Sequence, residues 1–121
     1  MIERLRILPG FRVLDPETIA VIAARSAVRS FVPGQRVFAA GEVADMLLAR
    51  IGGRLVGADG GIPPPVFDAP GLLFGLAVTQ DYLAGPEGLE AVAIAKPHVF
   101  TIAREFPEFI MSLMDDAGDA A

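Results

Sequence analysis

Between Pro70 and Leu83 the sequence runs PGLLFGLAVTQDYL, a glycine-bracketed stretch that could do phosphate chemistry. Backbone N–H groups in the first turn of a helix lack internal partners, and together with the helix dipole they hold an anion. Sites of this kind add charged side chains to fix the ligand, yet Gly75 is followed by Leu76, Ala77 and Val78. Other chemistry-bearing residues are sparse. His98 is the sole histidine and there is no cysteine, so a metal site would have to be carboxylate-rich. After Pro97 and before an apolar run, His98 reads as a surface or strand-end residue. Ser26, Ser30 and Ser112 fall in helix or strand contexts, and none occupies a nucleophile elbow. Asp115 and Asp116 close a helix and read as a solvated tail. Lys96 stands alone at a strand end, where Glu90 or Asp81 can pair with it.

The chain has 121 residues, enough for one domain with a single core. Its hydrophobic content is 53% and its mean hydropathy +0.52, which argues against disorder and for apolar surface covered internally or by a partner. Fifteen acids outweigh ten bases, for a net charge of −5. Nine of the bases are arginines scattered from Arg4 to Arg104. Nucleic-acid binders concentrate positive charge on one face, so no nucleic acid is expected. The absence of cysteine excludes disulfides and thiolate chemistry. No apolar run reaches the roughly 18 residues of a membrane span, and MIERLRIL lacks the apolar core of a signal peptide. No membrane partner is expected, and a cytoplasmic location is the default. Met1 and the acidic end are expected to bound a complete chain.

The elements that must position these residues begin with MIERLRIL, a short amphipathic helix broken by Pro9–Gly10. VLDPETIAVIAARS predicts a second helix, with Asp15 as cap, Pro16 at its first position and Glu17 complementing the dipole. Leu14 packs back onto Ile19 as a staple. From Ala27 short segments end in glycine turns: AVRSFV, QRVFAA, DMLLARI and RLVGAD. That spacing predicts an antiparallel sandwich or barrel. Pro63 to Pro65 cannot donate to a ladder and form an edge or loop. YLAGPEG reads as a loop, LEAVAIA as a strand and VFTIA as one more strand. REFPEFIMSLM then places Phe106, Phe109, Ile110, Leu113 and Met114 on one helical face. The expected division is a helical lead-in over 1–26, a β roll over 27–103, a helix over 106–115 and a frayed tail over 116–121, all in one domain.

This order and several strings resemble the cyclic nucleotide-binding domain family. The carriers are LRILPGFRVLDPETI, FVPGQRVFAAGE, ADMLLARIGGRLV, PGLLFG and EAVAIA, with Gly34, Gly41, Gly53, Gly71 and Gly75 at the family's spacing. The resemblance spans about Leu5 to Met114. It implies a mainly β fold with flanking helices, a jelly-roll-like sandwich with N-terminal helices and one short C-terminal helix. In nucleotide-binding members a Glu after the glycine turn holds the ribose, and an Arg with a neighbouring hydroxyl holds the cyclic phosphate. Here those positions fall on Leu76, Leu89 and Glu90. No Arg or Lys occurs between Arg54 and Lys96, and Asp81, Glu87 and Glu90 stand in the cassette instead. A buried phosphate without a cation carries a desolvation cost of several kcal/mol.

The resemblance therefore implies a vestigial cassette (Gly75, Leu76, Ala77, Leu89, Glu90) whose backbone cradle persists, with no cofactor and no bound cyclic nucleotide. The expected function is a non-catalytic module acting through a protein partner or a second copy. Its contact face would be Phe106, Phe109, Ile110, Leu113 and Met114, although helical spacing of this kind is also the mark of ordinary core. The alternative is a sensor for a cyclic nucleotide or another anion, held in an unusual way with Lys96, Arg54 or Arg50 as counter-charge. No convergent nucleophile, base and oxyanion set points to an enzyme. The family's lid would be short or absent, because there is room for little more than a turn between VFTIA and PEFIMSLM. No helix-turn-helix follows, so the chain by itself is not expected to regulate DNA.

Overall fold

Two long strands, β3 (Met46–Gly57) and β5 (Tyr82–Ala95), pair antiparallel along their whole lengths and carry the architecture. The structure is a computed structural model that describes residues 2–6, 8, 11, 12 and 14–119, the last six by backbone alone. Helices α1 (Ile2–Arg6) and α2 (Pro16–Ala24) lead into β1 (Ser26–Phe31) and β2 (Arg36–Phe38). After β3 come the short β4 (Val66–Phe67), a helix α3 (Ala69–Phe74) and β5. The described chain ends in α4 (Lys96–Glu105) and α5 (Pro107–Asp119).

The sheet has the order β1-β5-β3-β4, with β2 also on β5. β1 takes the second half of β5, from Leu89 to Ile94, while β2 takes its first residues, Tyr82 and Leu83. The first half of β3 lies between β5 and β4, and its second half continues beside the start of β5. The pairing slips register on either side of Gly52–Gly53; such bulges sharpen the local bend and twist of a sheet. Phe67 on β4 then stacks on Phe38 of β2, with ring centroids 4.7 Å apart, and meets Tyr82 of β5 edge-on at 4.6 Å. The two ends of the bent sheet therefore face each other across an aromatic contact.

Several sequence expectations change here. DMLLARI and RLVGAD are halves of one strand, because Gly52 and Gly53 make a bulge instead of a turn. YLAGPEG is no loop but the first half of β5. VFTIA is not a strand: it lies in α4, where Val99, Ile102 and Ala103 are buried at helical spacing. The last strand thus ends at Ala95, and two helices follow it instead of one. The final helix starts at Pro107 and runs to Asp119, so the backbone of 116–119 is helical. Residues 120 and 121 lie outside the described residues. Asp15 holds the cap position of α2 without a side-chain hydrogen bond to it. Leu14 and Ile19 are both buried, as a staple requires.

Candidate functional site

The turn at Gly75 is built differently from a phosphate cradle. Asp68 caps the start of α3 and Pro70 sits within its first turn, so the helix lies before Gly75. Gly75 is its C-cap, at φ 68° and ψ 32°, a left-handed conformation that glycine adopts without a Cβ penalty. The Gly75 and Leu76 N–H groups both donate to the Gly71 carbonyl, the second at 2.8 Å. Ala77 then bridges Val43, and the Val78 N–H donates to the Glu42 carbonyl at 2.8 Å. The N–H groups of Gly75, Leu76 and Val78, which the expected cradle would have offered to an anion, are bonded within the chain. The reason lies in Asp68-Ala-Pro-Gly, which starts the helix early and leaves Gly75 to end it.

Beside this turn lies a cavity of about 420 Å³. Phe67, Tyr82, Val66, Val78, Pro70 and Leu76 form its apolar walls, with Asp68, Thr79 and the Tyr82 hydroxyl as polar groups. Asp68 is the one charged residue among the described lining. Its backbone has φ 48°, and among the described residues no other non-glycine has a positive φ. One carboxylate oxygen accepts from the Gly71 N–H at 3.2 Å. Burial pushes the Asp68 carboxyl above its ordinary 3.8, against the lowering effect of that hydrogen bond. Sequence reading passed over Asp68; the signal was an Asp-x-Pro start with Gly at the end, the usual asymmetry of a short helix.

The other expected cassette residues do not converge. Leu76 and Ala77 line the cavity. Leu89 is buried and turned into a neighbouring niche with Arg50, Phe67 and Pro63 to Pro65. Glu90 pairs with Arg4 of α1 at 3.3 Å. Asp81 accepts from the Ala40 N–H at 2.8 Å, tying β2 to β5, and Glu87 is exposed on β5. None of these three acids lines the cavity, contrary to expectation, because alternate strand positions send them outward or into loop contacts. Among the described residues Lys96 makes no ion pair, so its pairing with Glu90 or Asp81 is not seen. His98 is exposed on α4, and no group of three metal-ligating side chains occurs among the described residues.

On α5, Phe109 and Leu113 are buried in the chain's own core and Ile110 packs partly against it, as does Phe106 at the end of α4. The Met114 side chain lies outside the described residues.

No protein-family model matches the chain, and no curated protein matches its sequence. Solved structures do. A Geobacter metallireducens protein named for cyclic nucleotide binding superposes with a TM-score of 0.78 at 24% identity, covering 98% of this chain and 92% of its own. This is the fold of cyclic nucleotide-binding domains. The catabolite activator protein of Thermus thermophilus gives a TM-score of 0.71 at 19% identity over 88% of this chain and 55% of its own. The regulatory domain of Toxoplasma gondii PKA, solved with cAMP, gives 0.75 at 15% over 98% and 48%. The chain spans about half the length of these last two.

Within this cyclic nucleotide-binding fold the position of Asp68 has a measurable consequence. A carboxyl raised in the folded state favours the protonated form on folding, so its penalty is absent below about pH 3.8 and present in full above its folded value. Asp68→Asn keeps the capping oxygen and tolerates a left-handed backbone. The variant is expected to melt above the parent at pH 7. The gap should narrow as the pH is lowered through the carboxylate range, and melting curves from pH 7 to 3 read it directly.

Proposed function

We propose that the chain is a non-catalytic regulatory module that keeps the cyclic nucleotide-binding fold, does not bind cyclic nucleotides, and acts by contact with a protein partner or a second copy. One observation carries this reading: at the turn after α3 the N–H donors of Gly75, Leu76 and Val78 are already spent on carbonyls of the same chain. A phosphate would have to break those bonds and would find Asp68 as the charged neighbour. Leu76 supplies no acceptor for a ribose, and Leu89 supplies no cation. Arg50 lines the niche behind the proline run and not the larger cavity. Exposed apolar side chains around the turn, Phe74 at 66% and Leu76 at 57%, favour a contact surface.

Thermal unfolding with millimolar cAMP, cGMP and a cyclic dinucleotide tests the reading. The expected result is an unchanged Tm with each. A ligand at about a thousand times its Kd adds ~4 kcal/mol of stability, a rise of more than about ten degrees for a domain of this length. A rise of that order would make the chain a nucleotide sensor and end the proposal.

A further inference from the structure

The cavity beside α3 has the wrong charge for a phosphate and the right one for an ammonium group. We infer that it is a binding site for small organic amines, in which Asp68 takes the ammonium group and the walls of Phe67, Tyr82 and Val78 take an aromatic or branched aliphatic body. This rests on the reading above that the cavity does not hold a nucleotide.

Four observations converge on it. The volume of about 420 Å³ falls within the ~300–1,000 Å³ of ordinary small-molecule sites, which are apolar with a few placed polar groups. The Asp68 carboxylate has one oxygen engaged by the Gly71 N–H, and no cation pairs with it among the described residues. A half-buried carboxylate of this kind gains from a cationic donor through a charge-assisted hydrogen bond. Asp68 stands in the cavity lining with a left-handed backbone, rare for a residue with a side chain and costly enough to mark a constrained position. Lastly, Phe67 and Tyr82, whose rings meet edge-on at 4.6 Å, give the lining an aromatic wall against which an aromatic body can pack. Thr79 and Tyr82 are the other residues of the lining that carry a hydroxyl.

The test uses the intact chain and three probes of similar shape: 2-phenylethylamine, neutral 2-phenylethanol and anionic phenylacetate, with cAMP as a fourth arm. Titration calorimetry and melting should show saturable binding of the amine, binding of the alcohol weaker by about tenfold or more, and none of the acid. Asp68→Asn should weaken the amine by about tenfold or more without weakening the alcohol. Leu76→Arg, at an exposed position expected to fold normally, should weaken the amine through like-charge repulsion. Failure of the parent to bind the amine, equal binding of the acid, or undiminished binding of the amine in Asp68→Asn would overturn the inference. If cAMP alone binds, the preceding functional reading falls with it; if neither cAMP nor the amine binds, only the inference falls.

Discussion

Gly53→Ala is expected to cost about 3–4 kcal/mol, a large part of the ~5–15 kcal/mol that holds a domain folded. Gly53 has φ 66°, and a Cβ there would sit on the Gly88 carbonyl oxygen, 2.8 Å from the Gly88 carbonyl carbon and 3.1 Å from the Leu89 Cα. These are backbone atoms of the paired strand, so no rotamer can move out of the way. Gly88 repeats the arrangement one strand over: at φ 79°, its added Cβ would lie 2.8 Å from the Phe31 carbonyl oxygen. Together they let β1, β5 and β3 approach where the sheet bends. Gly60→Ala separates the two sources of damage. Gly60 has φ 88° with nothing within 4 Å of an added Cβ, so its variant suffers only the left-handed strain of about 1–2 kcal/mol. Thermal melts should place Gly53→Ala more than about ten degrees below the parent, with Gly60→Ala between them. If the two variants melted together, the close approach of β3 and β5 would be wrong.

The same crossing shows why the sequence was only partly legible. Glycine punctuates both turns and bulges, and Gly52–Gly53 and Gly85 to Gly88 carry no local mark of which they make. Only the partner strand decides, through a contact between residues more than thirty apart in the chain. The apolar run VFTI is ambiguous in the same way; Val99, Ile102 and Ala103 have the helical period, but four β-branched and aromatic residues in sequence mimic a strand. By contrast most of α2 was readable, because Pro16, the Leu14–Ile19 spacing and the Ile19–Ile22 stripe are all local, although Asp15 makes no side-chain cap. At the candidate site the apolar character of Leu76 could be read directly, but the placement of Leu89 in a separate niche could not. Nor could the backbone, since a glycine that starts one helix and a glycine that ends another look alike until Asp68 and Pro70 are read with Gly75. The fold was therefore legible as a helix-flanked β roll, while the backbone around Gly75 had to come from the structure.

The face of α5 is where the difference between core and contact surface can be measured. Phe109→Ala is expected to destabilise the chain by about 3–5 kcal/mol, the usual range for a buried phenylalanine. Phe109 has 0% of its surface exposed, with its ring 5.8 Å from that of Phe11, so one side chain joins α5 to the N-terminal lead-in. α5 also packs on α4, α3 and β4, and α3 carries the turn at Gly75. Loosening α5 therefore reaches the cavity through α3. Met111, two residues on but 67% exposed, points the other way, and Met111→Ala should change stability by no more than about 0.5 kcal/mol. Urea unfolding at two protein concentrations, with the mass in solution measured alongside, reads both roles. A loss in Phe109→Ala that does not depend on concentration identifies a core residue. Unchanged folding with a drop in mass would instead place Phe109 between two copies, and the packing of α5 would have to be redrawn. A contact surface on this helix must therefore use its exposed side, where Met111 stands, because Phe109 and Leu113 already face inward.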